Sequence, residues 1–168
     1  MALLGIREYG KDDVLLKTCK PVKELTPRLK TLIEDMFETM YDADGVGLAA
    51  PQVGVLRRIC VIDIGEGPVT LINPEVIETS GEQTGNEGCL SVPGKTGIVT
   101  RPNYAKVKAL NENMEEFIVE GEELMARALL HEIDHLDGHI YTEKVEGKLY
   151  DVDTFAEEYE KDQEQAQQ

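Results

Sequence analysis

The chain has 168 residues, of which 33 are acidic and 17 are basic, so its formal net charge is −16. A chain of this length can bury one hydrophobic core, and no linker or internal repeat divides it. So acidic a protein is a poor partner for nucleic acid, because phosphate binding needs basic patches. No signal-type leader and no run of about 18 apolar residues is found, which predicts a soluble protein without membrane contact.

The first predicted element is a helix over residues 27–41. Thr26 can cap this helix, and Pro27 suits its first position. Apolar residues at helical spacing form its buried stripe, namely Leu29, Leu32, Ile33, Met36, Phe37 and Met40. The pattern is that of an amphipathic helix with one face on the core.

A glycine-rich segment, residues 45–54, follows that helix. Its small residues and alternate glycines predict a tight loop whose backbone can contact a ligand directly. It lacks the lysine and the glycine spacing of a phosphate-binding loop. Gln52 is the only side chain in it that can both donate and accept hydrogen bonds. On its own, the segment is as typical of a turn before a strand as of a binding site.

Proline and glycine separate the short strands that are predicted next, at residues 59–64, 69–72, 97–100, 105–110 and 116–120. Cys60 lies in the first of these β-branched runs, so we expect it to be a small core residue. Cys89 differs, because it lies beside Gly88, whose lack of a side chain permits close approach to a ligand. The chain has three cysteines, an odd number without a regular framework, which favours a reducing cytoplasm.

The most informative stretch is the pentapeptide HEIDH at residues 131–135, within a second predicted helix over residues 122–136. Two histidines four residues apart lie on one face of a helix and can bind one divalent metal ion. Glu132 is about a third of a turn away, where it can deprotonate a water on that metal. This H-E-x-x-H pattern is typical of metal-dependent hydrolases. His131 shares the apolar stripe of the helix, and an inward histidine pair without a metal would be poorly solvated.

Two histidines do not complete such a site, since tetrahedral catalytic sites usually take three protein ligands and a water. The extended metalloprotease pattern has a third histidine six residues after the second. Here Tyr141 occupies that position, and His139 comes two residues too early. A glutamate from a later helix, Glu157 or Glu158, is a weak alternative in so acidic a tail. The third ligand is therefore expected upstream, and Cys89 is the strongest choice.

Three segments in this order, Gly-Val-Gly-Leu-Ala-Ala-Pro-Gln, Glu-Gly-Cys-Leu-Ser and His-Glu-Ile-Asp-His, resemble the signature motifs of peptide deformylases. The resemblance extends over roughly residues 5–145. Three ordered motifs in a chain of this size are far more specific than one H-E-x-x-H. The resemblance implies an enzyme that removes the N-formyl group from the initiator methionine of nascent bacterial or organellar proteins and releases formate.

The resemblance also implies a metal centre. Cys89, His131 and His135 would be the ligands, and Glu132 would be the catalytic acid and base. Similar enzymes typically use Fe(II), and nickel, cobalt or zinc can occupy the same site. A thiolate and two neutral imidazoles leave the metal with a net positive charge and an open position for water.

Further roles follow from the implied reaction. The Gln52 amide and the Leu90 backbone N–H would stabilise the oxyanion together with the metal. The backbone of Val46, Gly47 and Gly88 would pair with the extended peptide, which gives affinity without reading its sequence. The methionine side chain would be received by apolar residues near the site, namely Val46, Leu124 and Ala128.

Two charged residues near the site carry separate expectations. Arg127 is an unexpected charge in the second helix, and we expect it to turn to solvent. In similar proteins an acidic residue and an arginine pair at the places that Asp44 and Arg101 hold here. We therefore expect an ion pair between Asp44 and Arg101 that fixes the glycine loop against the cysteine strand.

Together the elements predict an α+β fold, in which short antiparallel sheets pack around a central helix that carries the H-E-x-x-H motif. Residues 1–150 are expected to form one metallohydrolase domain, and residues 151–168 an acidic C-terminal helix or tail. That tail departs from deformylases whose basic C-terminal helix is thought to dock on the ribosome. The expected partners are N-formylated nascent peptides, with only transient ribosome proximity. The alternative function is an H-E-x-x-H metallopeptidase that cleaves internal peptide bonds and needs no Cys89.

Overall fold

Within residues 2–167, which the computed structural model describes, the chain forms three α-helices and eight β-strands. The helices are α1 (Pro27–Asp42), α2 (Leu124–Leu136) and α3 (Phe155–Ala166). The strands are β1 (Gly47–Ala49), β2 (Ile59–Ile62), β3 (Val69–Ser80), β4 (Gln83–Cys89), β5 (Val92–Arg101), β6 (Tyr104–Leu110), β7 (Glu116–Glu122) and β8 (Glu146–Asp151). Short 3-10 turns follow β1 and β8, over Ala50–Val53 and Val152–Thr154.

The strands form two antiparallel sheets. The larger sheet has five strands in the order β1-β2-β3-β6-β7, and the smaller has three in the order β4-β5-β8. Leu48 lies opposite Val61 in the larger sheet, and Thr84 lies opposite Thr100 in the smaller one. Strand β1 is therefore at one edge of the larger sheet, and β4 is at one edge of the smaller sheet.

Helix α2 packs against the larger sheet, so the predicted α+β architecture with a central motif-bearing helix is confirmed. Its buried residues Leu129, Ile133 and Leu136 recur at helical spacing and share one core cluster with Cys60 and Leu71 from the sheet. Cys60 is fully buried in β2, as predicted. The helix begins at Leu124, two residues later than predicted, after Glu123 with a φ of 55°.

Helix α1 agrees closely with its prediction. The Thr26 side chain accepts a hydrogen bond from the Leu29 N–H at 3.2 Å, and Pro27 occupies the first position. Ile33, Met36 and Met40 are fully buried in a second core cluster with strands β1 and β2. This packing places the end of α1 directly before the glycine-rich segment.

Several strands differ from their predicted extent. Strands β1, β4 and β8 were not predicted, because their glycine or charged residues have a low preference for strands. Strand β3 continues to Ser80, well beyond residue 72, after an irregularity in its register with β6 between Ile72 and Glu75. Pairing with other strands, rather than local composition, forms these strands.

In the C-terminal segment, α3 is an acidic helix. No residue of α3 is buried, and the helix carries Glu157 and Glu158 in its first turn. The rings of Phe155 and Tyr159 stack at 5.4 Å and contact Tyr150 of β8. Strand β8 pairs with β5 up to Asp151, so the division of domains at residue 150 stays a prediction. Met1 and Gln168, the ends of the two predicted parts, lie outside the described residues. Among the described helices, none is long and apolar enough to cross a membrane.

Candidate active site

Helix α2 positions the two motif histidines. His131 and His135 are one turn apart and buried, with exposed fractions of 7% and 0%. Their rings meet edge to face at 4.9 Å between centroids, and their Nε2 atoms are 3.2 Å apart. Both Nε2 atoms therefore face the same point beside the helix.

Cys89, at the end of β4, brings a sulfur atom to that point. Its Sγ lies 3.3 Å from Nε2 of His135, and the ligand atoms of Cys89, His131 and His135 all lie within 4.8 Å of one another. In a tetrahedral site with bonds of about 2.0–2.3 Å, neighbouring ligand atoms are roughly 3.3–3.6 Å apart. The spacing of the three atoms therefore suits one metal ion.

Glu87 is a buried carboxylate that orients His131. Its Oε2 lies 2.6 Å from Nδ1 of His131, which directs the other ring nitrogen toward Cys89. Arg101 donates to both carboxylate oxygens at 2.7 Å, and Arg127 donates to Oε1 at 2.7 Å. Burial alone would raise the pKa of Glu87, but the hydrogen bonds from Arg101 and His131 outweigh it and hold this pKa well below its usual value. Glu87 is therefore an ionised acceptor.

The chemistry of the three ligands fits a transition metal. Burial lowers the pKa of His135 well below its usual value, which favours the neutral imidazole that binds metals. Cys89 is partly exposed and free, and one sulfur with two imidazole nitrogens is a ligand set for zinc, iron, nickel or cobalt. The residues present therefore fit the divalent ion that the sequence predicts.

Glu132 lies beside this centre without being one of the three ligands. It is 4% exposed, and its Oε1 has no hydrogen-bond partner among residues 2–167. Burial raises its pKa to about 7, so the carboxyl can exchange a proton near neutral pH. A Cβ atom at Gly47 would collide with the Glu132 carboxylate. The absence of a side chain at Gly47 therefore allows the Glu132 carboxylate to occupy this position.

Gln52 is fixed beside the cysteine. The Ala49 N–H donates to its Oε1 at 2.9 Å. Its Nε2 donates to Ser91 Oγ at 3.1 Å and to Cys89 Sγ at 3.5 Å. The structure thus brings this predicted residue to the centre with an amide N–H group in the cleft. Leu90 follows Cys89 and lines the same cleft.

The centre opens into a cleft of about 610 Å³. Val46 and Gly47 line one side of it, and Gly88 lines the other. These residues lie in or beside the edge strands β1 and β4, whose outer sides are not paired within their sheets. The Val46 carbonyl already accepts a hydrogen bond from the Asp63 N–H at 2.9 Å, so it is used within the protein rather than offered to a ligand. A larger groove of about 980 Å³, near the start of α1, holds none of the predicted site residues.

Arg127 does not turn to solvent, which makes that prediction wrong. It is 8% exposed, lines the cleft and donates to Glu87 and to the Val99 carbonyl, the latter at 3.1 Å. Its charge is buried because a buried carboxylate neutralises it. Leu124 and Ala128, on the same helical face, line the cleft as predicted for the methionine pocket.

The expected ion pair between Asp44 and Arg101 is also wrong. Arg101 pairs instead with Glu87 at 2.7 Å and with Asp134 at 3.0 Å. Asp44 is exposed, with a φ of 56°, and forms no salt bridge among the described residues. The sequence analysis does not indicate Glu87 as this partner, although it lies only two residues before Cys89 in β4.

Comparison with known proteins agrees with this geometry. The family model for polypeptide deformylase matches residues 3–149. A peptide deformylase from Agathobacter rectalis is 66% identical over 152 residues, which cover 90% of this chain and 96% of that protein. The crystal structure of a peptide deformylase from Legionella pneumophila superimposes with a TM-score of 0.83 at 44% identity, covering 86% of this chain and 87% of that one. The crystal structure of the peptide deformylase from Thermotoga maritima superimposes with a TM-score of 0.84 at 43% identity, covering 88% of this chain and 100% of that one. The chain therefore belongs to the peptide deformylase family, metal-dependent hydrolases that remove the formyl group from nascent polypeptides.

Proposed function

We propose that Cys89, His131 and His135 bind one divalent metal ion, which is Fe(II) in the cell. The observation that carries this assignment is the group of three ligand atoms within 4.8 Å of one another, beside a buried carboxylate. Nickel, cobalt and zinc suit the same sulfur and nitrogen ligands, so they can occupy the site in preparations. When bound, the metal supplies Lewis acidity that polarises the formyl carbonyl and activates a water molecule.

Glu132 moves the proton in this proposal. Its unpartnered Oε1 accepts a proton from the attacking water, whose oxygen forms a bond to the formyl carbon. The bond between that carbon and the amine nitrogen then breaks, and Glu132 returns the proton to the departing nitrogen. The products are formate and a peptide with a free amino terminus. A pKa of about 7 suits a group that must both accept and donate a proton.

The amide of Gln52 and the Leu90 backbone N–H stabilise the oxygen that gains charge. Gln52 is suited to this role because the Ala49 N–H fixes its Oε1, which leaves Nε2 directed at the centre. Ser91 holds one N–H of Nε2, and the N–H that contacts Cys89 Sγ at 3.5 Å is close enough to the centre to be shared with that oxygen. Because Cys89 and Glu132 crowd the same space, the small formyl group fits better than an acetyl group.

The substrate peptide lies as an added strand between β1 and β4. Gly47 and Gly88 contribute backbone groups on the two sides, and Val46 contributes its side chain and N–H. Main-chain pairing of this kind accepts many sequences, which suits N-formylated nascent peptides as a class. The acidic α3 does not favour docking on RNA, so we propose only transient proximity to the ribosome.

We also infer a cytoplasmic location, where three free cysteines stay reduced. The alternative of a metallopeptidase that cleaves internal peptide bonds is not favoured, because the family model for polypeptide deformylase matches residues 3–149.

Anaerobic purification followed by metal analysis and a formate-release assay tests the proposal. We expect about one iron per chain and formate release from formyl-Met-Ala-Ser, with no cleavage of internal bonds in a longer peptide. Cys89→Ala should lose bound metal and activity together, whereas Cys60→Ala, at a buried cysteine in the core, should keep both. Metal retention by Cys89→Ala would contradict the assigned ligands.

A further inference from the structure

A buried ion pair lines the substrate cleft. Arg127 and Glu87 both line the cleft, although they are only 8% and 5% exposed. Nη1 of Arg127 donates to Glu87 at 2.7 Å, and Nη2 donates to the Val99 carbonyl at 3.1 Å. The same Nη2 lies 3.7 Å from the place where a Cβ of Gly85 would stand. The guanidinium is thus held against β4 and β5 at a defined position.

The aliphatic part of Arg127 faces the space in front of this pair. Helical spacing places Leu124, Arg127, Ala128 and His131 on one face of α2, and all four line the cleft. The methylene groups of Arg127 are therefore offered to an apolar ligand, while its charge is neutralised behind them. An apolar side chain that enters beside Leu124 and Ala128 meets this stem first and the ion pair next.

We propose that Arg127 determines the length of the N-terminal side chain that the enzyme accepts. The proposal rests on the proposed function, in which the side chain of the formylated residue enters this cleft. The unbranched methionine side chain fills the space in front of Arg127. A longer chain has to displace the Arg127 guanidinium from Glu87, which is costly because the buried positive charge of Arg127 then loses the carboxylate that neutralises it, whereas Glu87 stays paired with Arg101.

The ion pair also connects side-chain length to the metal centre. Glu87 accepts from Arg127 on Oε1 and contacts His131 through Oε2. A side chain that displaces Arg127 therefore disturbs the carboxylate that orients a metal ligand. An over-long substrate should lower kcat as well as raise KM, whereas mere loss of affinity would change KM alone.

A substrate series on the unmodified nickel enzyme tests the proposal without any mutation. Formyl-norleucyl-Ala-Ser carries a side chain as long as that of methionine, and the 2-aminooctanoyl peptide is longer by two methylene groups. We expect the norleucyl peptide to react about as fast as formyl-Met-Ala-Ser, and the longer one to have a kcat/KM lower by about tenfold or more. Equal kcat/KM for both lengths would overturn the proposal. Absence of formate release from formyl-Met-Ala-Ser itself would instead contradict the proposed function.

Variants then assign the effect to Arg127. Arg127→Ala should raise the ratio of kcat/KM for the longer substrate over the norleucyl substrate by about tenfold, with each rate expressed per bound metal. Arg127→Lys keeps a long charged stem and should keep the ratio of the parent enzyme. Arg58→Ala is the matched control, because it removes the ion pair with Asp137, the residue directly after α2, at 2.7 Å and outside the cleft lining. A folded Arg127→Ala enzyme with an unchanged ratio of kcat/KM would refute this role of Arg127. If that variant does not fold, the role would be refuted by a raised ratio in Arg127→Lys or by equal kcat/KM for the two substrates in the unmodified enzyme.

Discussion

The Glu87 carboxylate lies 2.6 Å from Nδ1 of His131 and is itself held by the guanidinium of Arg101. His131 and Glu87 come from different elements, the helix α2 and the strand β4. The orientation of the ring is therefore set between elements, and the helix alone does not determine it. Since β4 also carries Cys89, one short strand supplies both a proposed ligand and the group that orients another.

Glu87→Gln tests this arrangement. The amide keeps the size of the side chain, but it removes the charge that balances Arg101 and Arg127. We expect metal affinity to fall about 10–100-fold. We also expect the free energy of unfolding to fall by about 3–5 kcal/mol, because Arg127 loses its carboxylate partner and Arg101 keeps only its contact with Asp134. Chelator competition and urea denaturation measure the two effects. Glu143→Gln, which affects an exposed contact with His139 at 3.1 Å, should change neither.

Glu132→Ala should separate metal binding from catalysis. The variant should keep its metal, since Glu132 is not among the three clustered ligands, while kcat falls by about 10²–10⁴-fold. Metal analysis and formate release on the same sample make the comparison. Turnover close to that of the unmodified enzyme would show that another group moves the proton.

The iron enzyme should lose activity in air through oxidation of Cys89. This thiol is partly exposed at the cleft, whereas Cys19 and Cys60 are buried. Burial raises the pKa of Cys19 to about 11 and that of Cys60 well above its usual value, so both remain unreactive thiols. Peptide mass spectrometry after aeration should find oxidation mainly at Cys89, and the nickel enzyme should last longer. Uniform oxidation of the three cysteines would argue against Cys89 as the exposed thiolate.

Gly47→Ala should impair catalysis through Glu132. The added Cβ collides with the Glu132 carboxylate, which must then leave its position next to the centre. We expect kcat to fall about tenfold or more while the metal content stays constant. Gly5→Ala is a suitable control, since a Cβ there meets nothing within 4 Å. An unaffected kcat in Gly47→Ala would mean that Glu132 tolerates displacement.

Arg101 and Asp44 should behave differently on mutation. Arg101→Ala removes a buried ion pair with Glu87 and should lower the free energy of unfolding by about 3–5 kcal/mol. Asp44→Asn should change it by less than about 0.5 kcal/mol, because Asp44 is exposed and asparagine tolerates its φ of 56°. Thermal or urea unfolding of both variants measures the two changes. Equal losses of unfolding free energy would indicate that Asp44 and Arg101 do interact.

The elements that the sequence predicted well are those with a strong local signal. Helices α1 and α2 have apolar residues at helical spacing, and α1 also has a capping threonine and an initial proline. His131 and His135 were recognisable because their spacing is itself the chemical feature. Cys89 could be assigned only by combining this pair with a glycine-flanked cysteine upstream.

The features that the sequence did not predict depend on distant partners. Glu87 pairs with Arg101 and Arg127, which are 14 and 40 residues away, and no local pattern indicates which carboxylate an arginine meets. The charge of Arg127 suggested that its side chain is exposed to solvent. Its place between Leu124 and His131 on one helical face instead indicated a buried side chain. Strand β4 has little apolar character and forms because β5, which follows it directly, pairs with it.

The two edge strands beside the cleft belong to separate hydrogen-bonded ladders. A peptide that pairs with both joins those ladders for as long as it stays bound, so the substrate becomes a temporary structural element of the enzyme. When formate and the deformylated peptide leave, the hydrogen bonds between the peptide and the two strands are lost. We therefore expect the cleft to be more rigid with peptide bound, and an extended peptide mimic that cannot be cleaved should slow amide hydrogen exchange in β1 and β4 together.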